Sequence, residues 1–74
     1  MSKIHPTAII GESAKIHESV QIGPYAVIDD GVDIDAETII DSHVRVYTGA
    51  KIGKSNRIYH GAAIGADPQN VGFD

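Results

Sequence analysis

The chain has 74 residues, with 6 Lys plus Arg against 10 Asp plus Glu and a formal net charge of −4. That length holds one domain, and an acidic chain whose basic residues are scattered (Lys3, Lys15, Arg45, Lys51, Lys54, Arg57) has no electrostatic footprint for nucleic acid. It has no cysteine, which excludes disulfides, thiolate metal sites and a cysteine nucleophile, and suits a reducing compartment.

The first residues, Met1-Ser2-Lys3-Ile4-His5-Pro6, lack the apolar stretch of a signal peptide. No run approaches the roughly 18 apolar residues of a membrane span. The expected location is therefore cytoplasmic. From Ile4 onward an aliphatic residue recurs at every sixth position: Ile4, Ile10, Ile16, Ile22, Ile28, Ile34, Ile40, Val46, Ile52, Ile58 and Ile64. Four residues after each comes a mostly small or short residue, in order Ala8, Ala14, Val20, Ala26, Val32, Thr38, Val44, Ala50, Asn56, Ala62 and Pro68. A helix wants apolar spacings of three and four, and a half-buried strand wants two. An unbroken period of six fits neither and is the mark of a parallel β-helix.

Side chains alternate faces along a strand, so in Val20-Gln21-Ile22 the aliphatic residues point inward and Gln21 outward. Gly23-Pro24-Tyr25 then turns the chain toward the next short strand. Positive φ is expected at the residue after each anchor: Gly11, Gly23, Gly53 and Gly65, with Asp29, Asp35 and Asp41 as weaker substitutes. Tyr47 and Tyr59, at the same point of the repeat, are expected to keep ordinary φ. Three hexads make one triangular coil, so the chain predicts an all-β parallel β-helix of hexapeptide repeats with three to four coils. The repeat register spans residues 4–69 of a single segment, 1–74.

Steps of 18 give the outward faces. One carries Ile9, Val27, Arg45 and Ala63. A second carries Lys15, Asp33, Lys51 and Gln69 and reads as solvated. The third carries Gln21, Ile39 and Arg57. The first is largely apolar and is flanked by a corner column of Thr7, Tyr25, His43 and Gly61. An outward apolar face on a solenoid marks a partner surface. The expected interface therefore comprises Ile9, Tyr25, Val27, His43, Arg45 and Ala63, packed around a three-fold axis in a homotrimer. The last coil would present an unpaired strand edge, so a lone chain of this length should be unstable or prone to associate.

Other constellations read as structural. His43 and His60 should be neighbours on adjacent coils, with His5 two coils below His43 and His17 on another corner. That does not match the three converging histidines of a zinc enzyme, so no metal or other cofactor is expected. Asp29-Asp30, Asp33 and Asp35 read as a solvated acidic turn. The Ile-Gly pairs recur with the hexad and precede no helix, so they are not phosphate loops. Ser13, Ser19, Ser42 and Ser55 have no base at triad-like spacing, so nucleophilic catalysis is not expected.

The repeat resembles that of the hexapeptide acyltransferases, whose β-helices run left-handed; the general rule for parallel crossovers would give the opposite hand. Within that family the motifs are closest to the UDP-N-acetylglucosamine acyltransferases of lipid A biosynthesis. They are His5-Pro6-Thr7-Ala8-Ile9, Ile22-Gly23-Pro24-Tyr25, Ser42-His43-Val44, Ile52-Gly53, Asn56-Arg57-Ile58-Tyr59 and Ile64-Gly65-Ala66-Asp67-Pro68-Gln69. The resemblance covers nearly the whole chain, but only the N-terminal quarter or so of such an enzyme. It implies transfer of a 3-hydroxyacyl chain from acyl carrier protein to the sugar 3-hydroxyl of a UDP-amino sugar. A histidine general base and a donor pocket would both lie beyond Asp74, so no catalytic residue is expected in this chain. It also implies that residues 66–74 begin an acceptor loop in which Gln69, Asn70 and Gly72 face the substrate. Asn70 stands where the family usually has Asp, and Gly72 where it usually has Lys. Their carboxylate and ammonium contacts would be replaced by amide and backbone groups. Alternative expectations are the N-acyltransferase of the same pathway, a sugar acetyltransferase, and a non-catalytic trimeric scaffold.

Overall fold

The computed structural model describes residues 3–65. Eleven two-residue strands follow one another without a helix among the described residues. They are β1 Lys3–Ile4, β2 Ile9–Ile10, β3 Lys15–Ile16, β4 Gln21–Ile22, β5 Val27–Ile28, β6 Asp33–Ile34, β7 Ile39–Ile40, β8 Arg45–Val46, β9 Lys51–Ile52, β10 Arg57–Ile58 and β11 Ala63–Ile64. They form three parallel sheets in the orders β1-β4-β7-β10, β2-β5-β8-β11 and β3-β6-β9. Each strand pairs with the one 18 residues on, as Ile4 with Ile22 and Ile22 with Ile40. This is the three-sided parallel β-helix that the hexad predicts, consistent with the left-handed hexapeptide architecture, with three full coils and part of a fourth.

The aliphatic spacing produces this fold because it commits every second side chain of each short strand to the axis. Val20, Ile22, Ala26, Ile28, Val32, Ile34, Ile40, Val44, Val46 and Ile52 form the buried stack. The two end coils have a neighbour on one side only. Ile10, Ile16, Ile58 and Ile64 are accordingly half-buried, and Ile4 is 38% exposed. Burial is thus a nearest-neighbour property of coils, as in other solenoids. Between coils, the outward residues of β1 to β8 and the residues after their anchors donate N–H to a carbonyl 17 positions on. Examples are Lys3 to Val20 at 3.0 Å, Gln21 to Thr38 at 3.1 Å and Ile39 to Asn56 at 2.9 Å.

The turns differ from expectation. Gly11, Gly23 and Gly53 have ordinary φ, as do Asp29, Asp35 and Asp41; of the expected positions only Gly65 is left-handed, at +82°. Tyr47 and Tyr59 have ordinary φ, as expected. Left-handed backbone instead falls three residues after the anchor: Tyr25 (59°), Gly31 (75°), Glu37 (61°), His43 (57°), Gly49 (83°), Ser55 (57°) and Gly61 (78°). At six of these seven, all but Gly49, the reason is a hydrogen bond. This conformation aims the N–H at the coil below. Tyr25, Gly31 and Glu37 donate to the hydroxyls of Thr7, Ser13 and Ser19 at 2.7–2.9 Å. His43, Ser55 and Gly61 donate to the carbonyls of Pro24, Ala36 and Ser42. Glycine follows the anchor for a separate reason, which is clearance. A Cβ on Gly11 would lie 2.5 Å from the Asp30 nitrogen and 2.7 Å from the Asp29 carbonyl carbon.

Thr38 is the one buried polar residue among those described, at 0% exposure. It occupies an inward position that is otherwise aliphatic. Its hydroxyl donates to the Gly53 carbonyl (2.6 Å) and accepts from the Asn56 N–H (3.3 Å), so it ties the turn of the coil above to the core.

Two stability tests follow. Gly11→Ala should lower stability by about 1–3 kcal/mol, because the obstructing atoms are backbone. Gly53→Ala should stay within about 0.5 kcal/mol, since its nearest neighbour would be a side-chain atom at 3.6 Å. Urea denaturation midpoints at fixed protein concentration compare the two, and equal shifts would refute the clearance argument. Thr38→Val keeps the shape but orphans two backbone groups, at a cost of about 1–3 kcal/mol by the same measurement.

Candidate functional site

The outward face of β2, β5, β8 and β11 brings Ile9, Val27, Arg45 and Ala63 into one column, in the register that steps of 18 require. Ile9 is 64% exposed, an unusual state for a large aliphatic side chain, and Val27 is half-buried. The corner leading into this face carries Tyr25, which is 60% exposed, and His43. Their rings lie 5.3 Å apart and tilted by 32°. His60 meets His43 edge-on at 5.2 Å. Three aromatic rings from successive coils thus form a surface column, at separations where offset and edge contacts are favourable.

Arg45 is not a free interface cation. Its guanidinium donates to both carboxylate oxygens of Asp29 at 3.1 Å and lies 4.7 Å from the centre of the Tyr47 ring. Twelve residues later the same device recurs two corners on, at β10. Arg57 donates to the Asp41 carboxylate at 3.1 Å and lies 5.3 Å from the centre of Tyr59. The signal was present in the sequence: Asp, then Arg sixteen positions on and Tyr eighteen on, occurring twice. Two of the aspartates that read as solvated turn residues therefore have specific roles. Asp29 holds Arg45, and Asp35 accepts its neighbour Ala36's N–H at 2.7 Å.

The histidines differ in how their Nδ1 atoms are used. His5 Nδ1 contacts the Thr7 hydroxyl at 2.9 Å and also accepts the Thr7 N–H at 3.2 Å. His17 does the same with Ser19. These are local caps within one turn. His60 Nδ1 instead lies 2.9 Å from the Ser42 hydroxyl of the coil below. Two serines thus have a histidine nitrogen at hydrogen-bond distance, Ser19 from His17 in its own turn and Ser42 from His60 one coil away. The helix stacks at steps of 18, and Ser42 and His60 differ by that step. Among the described residues no three His, Asp or Glu side chains are grouped closely enough to hold an ion, and no helix is long and apolar enough to cross a membrane.

Gln69, Asn70 and Gly72, the residues singled out for substrate contact, lie outside the described residues, as does the last member of the second face, Gln69. The other members of that face, Lys15, Asp33 and Lys51, are aligned on β3, β6 and β9.

No curated protein matches the chain. Residues 13–48, the run from the first coil through the third that contains most of the buried stack, match the family model described as bacterial transferase hexapeptide (six repeats), so in this stretch the chain is similar to the repeats of those transferases.

Proposed function

We propose that this chain is the N-terminal β-helix segment of a trimeric O-acyltransferase that moves a 3-hydroxyacyl chain from acyl carrier protein to the 3-hydroxyl of a UDP-amino sugar, in the cytoplasmic stage of lipid A synthesis. The observation that carries the reading is the transferase hexapeptide match over residues 13–48 on an uninterrupted β-helix. The motif Ile64-Gly65-Ala66-Asp67-Pro68-Gln69, followed by Asn70 and Gly72, favours the UDP-amino sugar branch.

Attack by a sugar hydroxyl on an acyl thioester needs a general base within hydrogen-bond reach. Nδ1 of His5 and of His17 is held by a backbone N–H, so those atoms cannot take the proton. The family resemblance assigns the base for sugar acylation to the part of the enzyme that follows this segment. The role of the segment is to build the trimer that frames grooves between neighbouring subunits. Its apolar column supplies the contact: Ile9 and Val27 are the anchors, with Tyr25 and His43 beside them and Ala63 allowing close approach. Arg45, already neutralised by Asp29, sits beside them without bringing an unpaired charge into the interface.

Catalysis is tested with the protein product of the whole gene, 3-hydroxyacyl carrier protein and UDP-N-acetylglucosamine, following release of the carrier thiol. Release that depends on the sugar nucleotide is expected. Release only with an amino-sugar acceptor would point to the sister N-acyltransferase, and trimers without transfer to any acceptor would point to a scaffold. The isolated 74-residue chain should transfer nothing to the sugar nucleotide, and release there that depends on the sugar nucleotide would disprove the assignment of the base to a later segment.

Assembly is tested separately by sedimentation equilibrium. Ile9→Lys and Val27→Lys should each reduce the mass about three-fold by burying an unpaired charge at the interface, while the circular dichroism spectrum stays that of a β-helix. Arg45→Ala should leave the mass unchanged. Trimers that persist in both lysine variants would exclude this face.

A further inference from the structure

We propose that Ser42 and His60 form a nucleophile–base pair that is acylated by small activated acyl donors, esters or thioesters, making Ser42 a self-acylation site distinct from the acyl transfer proposed above. Three observations support it. The Ser42 hydroxyl and His60 Nδ1 are 2.9 Å apart, within the reach that a serine nucleophile and its base require. Ser42 Oγ is the sole hydrogen-bond partner of His60 Nδ1 among the described residues. The other two histidine–hydroxyl pairs of the chain lack this freedom. In both, Nδ1 also takes a backbone N–H, and the hydroxyl oxygen accepts a further N–H, from Tyr25 or Glu37, in the coil above. The lone pairs of Ser42 Oγ accept no such bond.

The surroundings suit the chemistry. Ser42 is half-buried, and the edge-on contact with His43 at 5.2 Å restrains the His60 ring. The pair borders a shallow depression lined by Lys3, Gln21, Ile39 and Arg57. This depression lies along the β1-β4-β7-β10 sheet, and the pair stands at the corner between that sheet and the Ile9–Val27 column, with His60 against His43. Ile39 gives the floor an apolar spot for an acyl chain.

With His60 carrying its proton on Nε2, the Ser42 hydroxyl donates to Nδ1. Ser42 Oγ attacks the carbonyl carbon of the donor, and its proton passes to Nδ1. The tetrahedral adduct collapses with cleavage of the bond to the leaving aryloxide or thiolate. An O-acyl serine remains, and the imidazolium proton goes to the leaving group or to water. No oxidant, metal or second reactant is needed.

The probe is p-nitrophenyl acetate with the intact chain. The expected result is a burst of about one p-nitrophenolate per chain, a mass gain of one acetyl group, and a modified peptide that maps to Ser42. Ser42→Ala should abolish the burst. His60→Gln can still accept the serine hydrogen bond but cannot take a proton, and should slow labelling by roughly 10²-fold. Both positions lie on the surface side of the coil, so circular dichroism should confirm that each variant keeps the fold. Acetyl groups on lysines, tyrosines or histidines rather than Ser42 would overturn the proposal. So would labelling of His60→Gln at the wild-type rate.

Discussion

Everything in this molecule depends on each coil resting on the next in a register of 18 residues. Two-residue strands are too short to be stable alone. They persist because the outward N–H of each strand from β1 to β8 reaches a carbonyl of the following coil, with Val27 to Val44 and Arg45 to Ala62 as examples. The same step that closes these bonds places Ile22 over Ile4 and Ile40 over Ile22. Hydrogen bonding and apolar burial therefore enforce one register between them. A slip of one residue would turn the whole aliphatic set outward. Thr38 shows how narrow the tolerance is. An inward position accepts a hydroxyl only because a carbonyl and an N–H of the coil above are there to meet it.

The same step organises the surface into columns. Aromatic rings collect at one corner as Tyr25, His43 and His60, and the apolar residues Ile9 and Val27 stack on the adjoining face. Arginines are neutralised by aspartates of the coil below, and the guanidinium groups of Arg45 and Arg57 sit over the rings of Tyr47 and Tyr59. Such exposed pairs add little stability, typically under about 1 kcal/mol each. Their effect is to fix the shape and charge of the edges beside the faces.

How much of this could be read in the sequence varies with the physics involved. The architecture, the three faces and the inward residues followed from period and alternation, because each hexad carries that information by itself. The location of left-handed backbone did not. Glycine after an anchor suggests positive φ, but Gly11 and Gly23 are there because the backbone of the next coil passes too close for a Cβ. Clearance and conformational freedom leave the same residue in the sequence, and only the inter-coil geometry separates them. The Asp29–Arg45–Tyr47 clamp and the Ser42–His60 pair were accessible in principle, since both follow from spacings near 18. They are hidden from a reading that looks for partners at the spacings of helices or catalytic triads. The residues expected to face substrate, Gln69, Asn70 and Gly72, lie outside the described residues.

The strained turns bear on that function from another direction. Left-handed backbone at a residue other than glycine costs of order 1–3 kcal/mol, and such strain concentrates where a side chain has work to do. The third position after an anchor holds glycine at Gly31 and Gly49, on the corner that leaves the apolar face. Glycine is therefore compatible with this turn, and the hydrogen bond to the coil below is made by Gly31 as well as by Tyr25. On the corner that enters the face, the equivalent positions are Tyr25 and His43, with Gly61 on the last coil. Neither side chain reaches the core, and Tyr25 is 60% exposed. Residues other than glycine bear this strain on two corners, as Tyr25 and His43 on the one entering the face and as Glu37 and Ser55 on the one opposite it, and only the first sets bulky rings beside Ile9 and Val27. Contact with a second copy of the face would give those rings a burial that the single β-helix does not provide. This asymmetry between two corners of the same face favours assembly through it more strongly than apolar character alone.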